Sequence, residues 1–196
     1  MPLGANKAAI MGVAGVSTGD VVLLYDTDHT NATTVSITSG ITSTYGEYIF
    51  KFYNINPATD NVQFTFQVNA TDGADYNDSA ITSTFFRAYH SEAGADPDLN
   101  YEAAQDQAQG TAFESLAAAI GNGADESCAG ELHLFNPSST TYVKHFYARF
   151  STYYFNDYAM SHFAAGYIND TTAIDDIQFK MSGGNFDGTI KMWGVK

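Results

Sequence analysis

The stretch VQFTFQVNA, residues 62–70, alternates without a break. Val62, Phe64, Phe66, Val68 and Ala70 fall on one side, and Gln63, Thr65, Gln67 and Asn69 on the other. Strict period two is the mark of a half-buried β-strand, because successive side chains leave a strand on opposite faces. As a helix the same residues would spread their apolar groups around the whole circumference and bury none of them well. Segments 20–26, 47–55, 81–90, 163–168, 174–181 and 188–195 also read as strands. Between them lie turn-forming clusters such as NINPATDN, EAGADPD and SGGNFDG. The Ala-rich stretch 102–121 is divided by Gly110, and its part 112–120 fits a strand or a short helix equally well. Many strands at regular spacing, with no strand–helix–strand rhythm, predict an all-β fold. The expected architecture is an antiparallel jelly-roll β-sandwich over residues 19–196, preceded by an N-terminal arm at 1–18.

Charge and cysteine content narrow the function. Twenty-two acidic residues stand against eight Lys and Arg, a net charge of −14. A surface that tracks phosphates needs clustered cations, so nucleic acid is excluded as a partner, and anionic membrane surfaces with it. No apolar run reaches the eighteen or so residues of a membrane span. Cys128 is the sole cysteine, which rules out an internal disulfide and reads as a small buried hydrophobe. The opening MPLGANKAAIMGVAGVS is too weakly apolar for a secretory leader. It reads as an attachment or oligomerisation arm, with Ala8, Ala9, Ile10, Met11, Val13 and Val16 as its partner-binding surface.

Each candidate chemistry has a bland counterpart. GVSTG at 15–19 matches a hydrolase nucleophile elbow around Ser17, but that elbow needs a strand before it and a helix after, and a strand follows here. Glycoside hydrolysis needs two carboxylates facing each other across a groove. Asp175 and Asp176 are adjacent, so on a regular strand they face opposite ways, and Glu131 stands alone. GELHLFNPSSTTYVKHFYARF (130–150) reads as a hairpin with a histidine on each arm. A loop around NPSSTT pairs Leu134 with Val143 and Leu132 with His145, which sends His133 and His145 to opposite faces and denies them a shared metal. The calcium candidate is NATDGADYNDS, where Asp72, Asp75 and Asp78 offer hard oxygens at close spacing without the full EF-hand pattern. No other cofactor is expected. STYYFNDYAMSHF (151–163) gathers aromatic residues, and Tyr153, Tyr154 and Tyr158 are the candidates for a protein interface or a glycan platform.

Several phrases taken together carry a resemblance: INPATDNVQFTFQVNA, ITSTFFRAYHSEAG, DQAQGTAFESLAAAIGNGADESCAGELHLFNPSSTTYVKHFYA and FAAGYINDTTAIDDIQFKMSGGNFDGTIKMWGVK. Over nearly all of residues 20–196 the chain resembles virion structural proteins of marine tailed bacteriophages. In that family such a segment often closes a fibre or appendage protein as a jelly-roll module similar to concanavalin A-like folds. The resemblance implies a particle component without catalytic activity, and a strand at 112–120. It implies a capsid decoration or short tail appendage or fibre component, attached through the 1–18 arm to other virion proteins. A homotrimer is the expected assembly and the virion the expected location. The alternatives are a lectin-like module for host surface glycans and a sandwich-fold glycosidase. The family offers no catalytic motif to carry over.

Overall fold

The computed structural model describes residues 19–70, 75–76 and 79–196. The 1–18 arm, including Ser17 and its six partner-binding positions, lies outside the described residues, as do Asp72 and Asp78. The strands are β1 (Val21–Ala32), β2 (Thr34–Ile37), β3 (Glu47–Pro57), β4 (Val62–Ala70), β5 (Ile81–Ser91), β6 (Asp98–Tyr101), β7 (Ala108–Gly110), β8 (Glu114–Ile120), β9 (Cys128–Phe135), β10 (Lys144–Tyr154), β11 (Tyr158–Ile168), β12 (Ile174–Met181) and β13 (Phe186–Val195). No helix occurs among the described residues. Every strand pair is antiparallel. The fold is the expected all-β jelly-roll sandwich.

A broad front layer runs β1-β13-β3-β9-β10-β11-β5, with β6 and β7 both pairing on β5. The back layer runs β8-β4-β12-β2. The layers touch at a corner where Tyr154 of β10 pairs with Ile120 of β8. Strands β4 and β12 have the bounds that alternation predicts, while β1 and β11 run several residues longer than their apolar runs. Residues 114–120 of the Ala-rich stretch form β8. Its residues Glu114 to Ala118 are buried on both faces, which suits small side chains and erases the alternation that would mark it as a strand.

Between the layers lies a core of phenylalanine rings. Phe64 packs within 5.2–6.2 Å, ring centre to ring centre, of Phe52, Phe150, Phe179 and Phe186. Phe52 in turn meets Phe150 and Phe179. Mixed edge-on and tilted contacts are the geometry aromatic rings prefer, and each buried ring contributes roughly 1.5–3 kcal/mol by leaving water. Gly130 makes room for two of these rings, because it pairs with both Phe52 and Phe150 across neighbouring strands. A Cβ added there would stand 2.5 Å from Cγ of Phe150.

The 130–150 hairpin forms in a different register from the expected one. The connection spans 136–143, closed by Ser139 N–H donating to Asn136 O, and Ser139 Oγ accepting from the amides of Thr141 and Tyr142. Leu134 therefore faces Phe146, not Val143, and His133 faces Tyr147. A shift of three residues is odd, so it reverses the face assigned to β10. His133 and His145 both lie on the outer face of the front layer, not on opposite faces. A second correction concerns Asp175 and Asp176. A bulge between Ile174 and Asp176 leaves Ile174 and Ile177 both buried, so both aspartates stand on the outer side of the back layer. Burial, followed by the neighbouring Asp175 charge, raises the Asp176 carboxyl above its ordinary range.

Candidate functional site

The inner face of β5 begins inside the core and ends outside it. Ile81, Ser83 and Phe85 are buried, but Arg87 and Tyr89 on the same face are only partly covered, so the sandwich opens at this end. Opposite them stand Met160 and His162 of β11. A pocket of about 230 Å³ forms there, lined by Arg87, Tyr89, Asp96, Tyr154, Asn156, Tyr158 and Met160.

Local chain geometry fixes its walls. The β10–β11 connection is three residues, Phe155-Asn156-Asp157, closed by Asp157 N–H donating to Tyr154 O at 3.0 Å. Asp157 takes the left-handed conformation, φ +63°, that such a short hairpin demands. This turn sets Tyr154 and Tyr158 directly across from each other. After β5 the chain doubles back through Gly94 and Asp96, both left-handed, with Ser91 Oγ bonded to the amide and carbonyl of Ala95. Glu92 N–H donates to Asp157 O at 2.9 Å, tying this loop to the hairpin turn. Ala119, on the adjoining end of β8, also has positive φ, +54°, and its carbonyl accepts from Phe155 N–H. Of these left-handed non-glycine residues, Asp96 lines the pocket itself.

The rings form a cluster. Tyr158 lies edge-on to Tyr154 at 5.6 Å and to Tyr89 at 5.9 Å. Its hydroxyl reaches Asp96 Oδ2 at 3.5 Å, and the Tyr89 hydroxyl donates to Asp98 Oδ2 at 3.3 Å. Arg87 sits over the Tyr89 ring and is neutralised by Glu102 at 2.9 Å. The Asn156 carboxamide has no hydrogen-bond partner among the described residues. Tyr153, grouped with the other two by sequence, points to the outer face and donates to Asp157 Oδ1. That bond raises its phenol to about 12.

Deeper along the same row lie buried polar groups. His162 is fully enclosed, with Nδ1 3.2 Å from the Thr152 hydroxyl, and burial followed by the Arg87 charge lowers it to about 3, so it is neutral. Glu114 is also enclosed and accepts from Ser83 Oγ at 3.0 Å and from Gln107 Nε2 at 3.1 Å. Burial raises its carboxyl to about 7. At the opposite end of β10, Lys144 is buried with its ammonium donating to the carbonyls of Asp170 and Thr172, and burial lowers its pKa.

The outer face of the front layer is the second notable surface. Among the described residues, every exposed large hydrophobic side chain except Tyr142 lies on it: Val21, Leu23, Tyr53, Phe86, Leu99, Tyr101 and Tyr147. At its centre His133 stacks on Tyr147 at 4.4 Å and bonds Glu47 through Nδ1 at 2.6 Å, with Glu131 3.7 Å from Nε2. Lys51 pairs with Glu131 at 3.4 Å. Phe86 stacks on Phe163, which Arg149 covers.

Of the calcium triad only Asp75 falls among the described residues, where it is exposed. No group of three His, Cys, Asp or Glu side chains suited to a metal occurs among the described residues. Cys128 is buried as expected.

Neither a protein-family model nor a curated protein matches the chain. It is similar to the crystal structure of A. japonicus CB05, at 16% identity and a TM-score of 0.27, over 97% of this chain and 28% of that one. It is also similar to a fructosyltransferase from A. japonicus, at 15% identity and a TM-score of 0.27, over 100% of this chain and 29% of that one. The chain spans less than a third of either, and so slight a likeness bears on neither fold nor activity.

Proposed function

We propose that the chain is a non-enzymatic structural component of a tailed-phage virion, a capsid decoration or short appendage that assembles through the outer face of its front layer. The supporting observation is the gathering of exposed apolar and aromatic side chains on that one face. Exposed apolar groups gathered on one face mark an interface. The patch spans several strands, and at its centre Lys51 pairs with Glu131 while the His133 ring bonds Glu47. This is the face assigned to contact between copies in the proposed trimer. The 1–18 arm then attaches the assembly to the particle.

Quantitative mass spectrometry of purified particles tests the reading. Hundreds of copies per virion identify a decoration protein, and a few dozen or fewer an appendage; absence from particles refutes the virion role. In solution, Tyr147→Glu is expected to convert an oligomer to a monomer by light scattering while the strand spectrum stays unchanged. Deleting residues 1–18 is expected to leave a folded sandwich that no longer joins particles.

A further inference from the structure

We propose that the pocket lined by Tyr89, Tyr154, Tyr158, Asp96 and Asn156 binds one neutral pyranose ring, such as a hexose of a surface glycan. The pocket is separate from the proposed assembly face, on the inner side of the same sheet, so both can be engaged at once.

Three properties select this ligand. The volume, about 230 Å³, lies below the roughly 300–1,000 Å³ of sites for larger organic ligands and suits a single ring. Its lining includes Tyr89, Tyr154 and Tyr158, which touch edge-on at 5.6 and 5.9 Å, so a guest lies beside this ring cluster and not between its members. Sugar rings present C–H faces to aromatic planes and hydroxyls around the rim, which is what an aromatic wall with polar groups at its lip accommodates. The lip supplies an acceptor in Asp96, a donor and acceptor in the unengaged Asn156 carboxamide, and tyrosine hydroxyls.

Charge narrows the choice further. Arg87 is held by Glu102 and by the Tyr89 ring, so it is not free to receive a carboxylate. Asp96 at the lip, with Asp98 beside Tyr89, repels anionic sugars. Sialic and uronic acids are therefore excluded. A quaternary ammonium group, the other guest of aromatic boxes, has no hydroxyl to meet Asp96 and Asn156 at the lip.

The experiment is saturation-transfer NMR and calorimetry on the full chain with neutral hexoses, sialic acid and choline as separate probes. A neutral hexose is expected to bind saturably. Tyr154→Ala and Asp96→Asn should each weaken it at least tenfold, and Tyr142→Ala, on an exposed ring within the 136–143 connection, should not. Tyr158→Phe keeps the ring and serves where Tyr154→Ala fails to fold; it should weaken binding severalfold. No hexose binding, binding of choline or sialic acid instead, or binding indifferent to Asp96→Asn and Tyr158→Phe would overturn the assignment. The virion role is judged separately by particle composition and survives any of these results.

Discussion

Phe64→Ala is expected to lower the unfolding free energy by about 3–5 kcal/mol, the range for deleting a fully buried ring whose neighbours relax only in part. Four rings touch Phe64, and they come from β3, β10, β12 and β13, so both layers lose contact at once. The void cannot be filled by one neighbour moving in, because Phe52, Phe150 and Phe179 are themselves fully buried and packed against one another. A domain of ordinary stability, about 5–15 kcal/mol, would lose a third or more of it. Urea unfolding followed by fluorescence checks this, with Phe64→Leu as the comparison, expected to cost less than half as much because most of the volume stays. A loss under about 1 kcal/mol for the alanine variant would mean that these rings do not form one packed core.

Two strands of the layer that holds Phe64, β4 and β12, are legible from sequence because a half-buried strand writes its environment as alternation. VQFTFQVNA and IDDIQFKM gave their strand bounds directly. β8 was not legible, since Glu114-Ser-Leu-Ala-Ala is buried on both faces and small residues there satisfy a strand and a helix alike. The face of the two histidines was misassigned for a specific reason. The reading closed the hairpin at NPSSTT, whereas Ser139 draws Thr141 and Tyr142 into the turn and delays β10 to Lys144. An odd error in loop length reverses every side chain on a strand.

The tyrosine pocket was half legible. Tyr154 and Tyr158 were visible as an aromatic cluster, but the division that sends Tyr153 outward depends on the left-handed Asp157, which FND only hints at. Arg87, Tyr89 and Asp96 come from about sixty residues upstream, and only the β5–β11 pairing delivers them. No spacing in the sequence encodes that. The bulge that puts Asp175 and Asp176 on one side is equally invisible, because it depends on how Asn69 of β4 is matched.

Glu114→Gln should make stability diverge from the parent as pH rises. Burial raises the Glu114 carboxyl from about 4.5 to about 7, so the folded state holds its proton where the unfolded chain has released it. The contribution of this group is therefore fully present below about pH 4.5 and is lost as pH rises towards 7, after which the loss is constant. A difference of this size corresponds to about 3 kcal/mol. Glutamine carries no charge at any pH, and its carbonyl oxygen can still accept from Ser83 and Gln107, the donors that hold the carboxylate now. The variant and the parent should thus match near pH 4.5, and the variant should be more stable by about 3 kcal/mol at pH 8. His162 acts in the opposite sense in both proteins: its folded value near 3 lies below the ordinary 6.5, so its contribution is present above 6.5 and lost as pH falls towards 3. Because that acid-side loss is common to both, it cancels in the difference. Urea unfolding of the pair at pH 4.5, 6 and 8 reads the divergence directly. A difference that stays constant with pH would mean that the Glu114 carboxyl is already ionised inside the sandwich, and that Ser83 and Gln107 stabilise the charge fully.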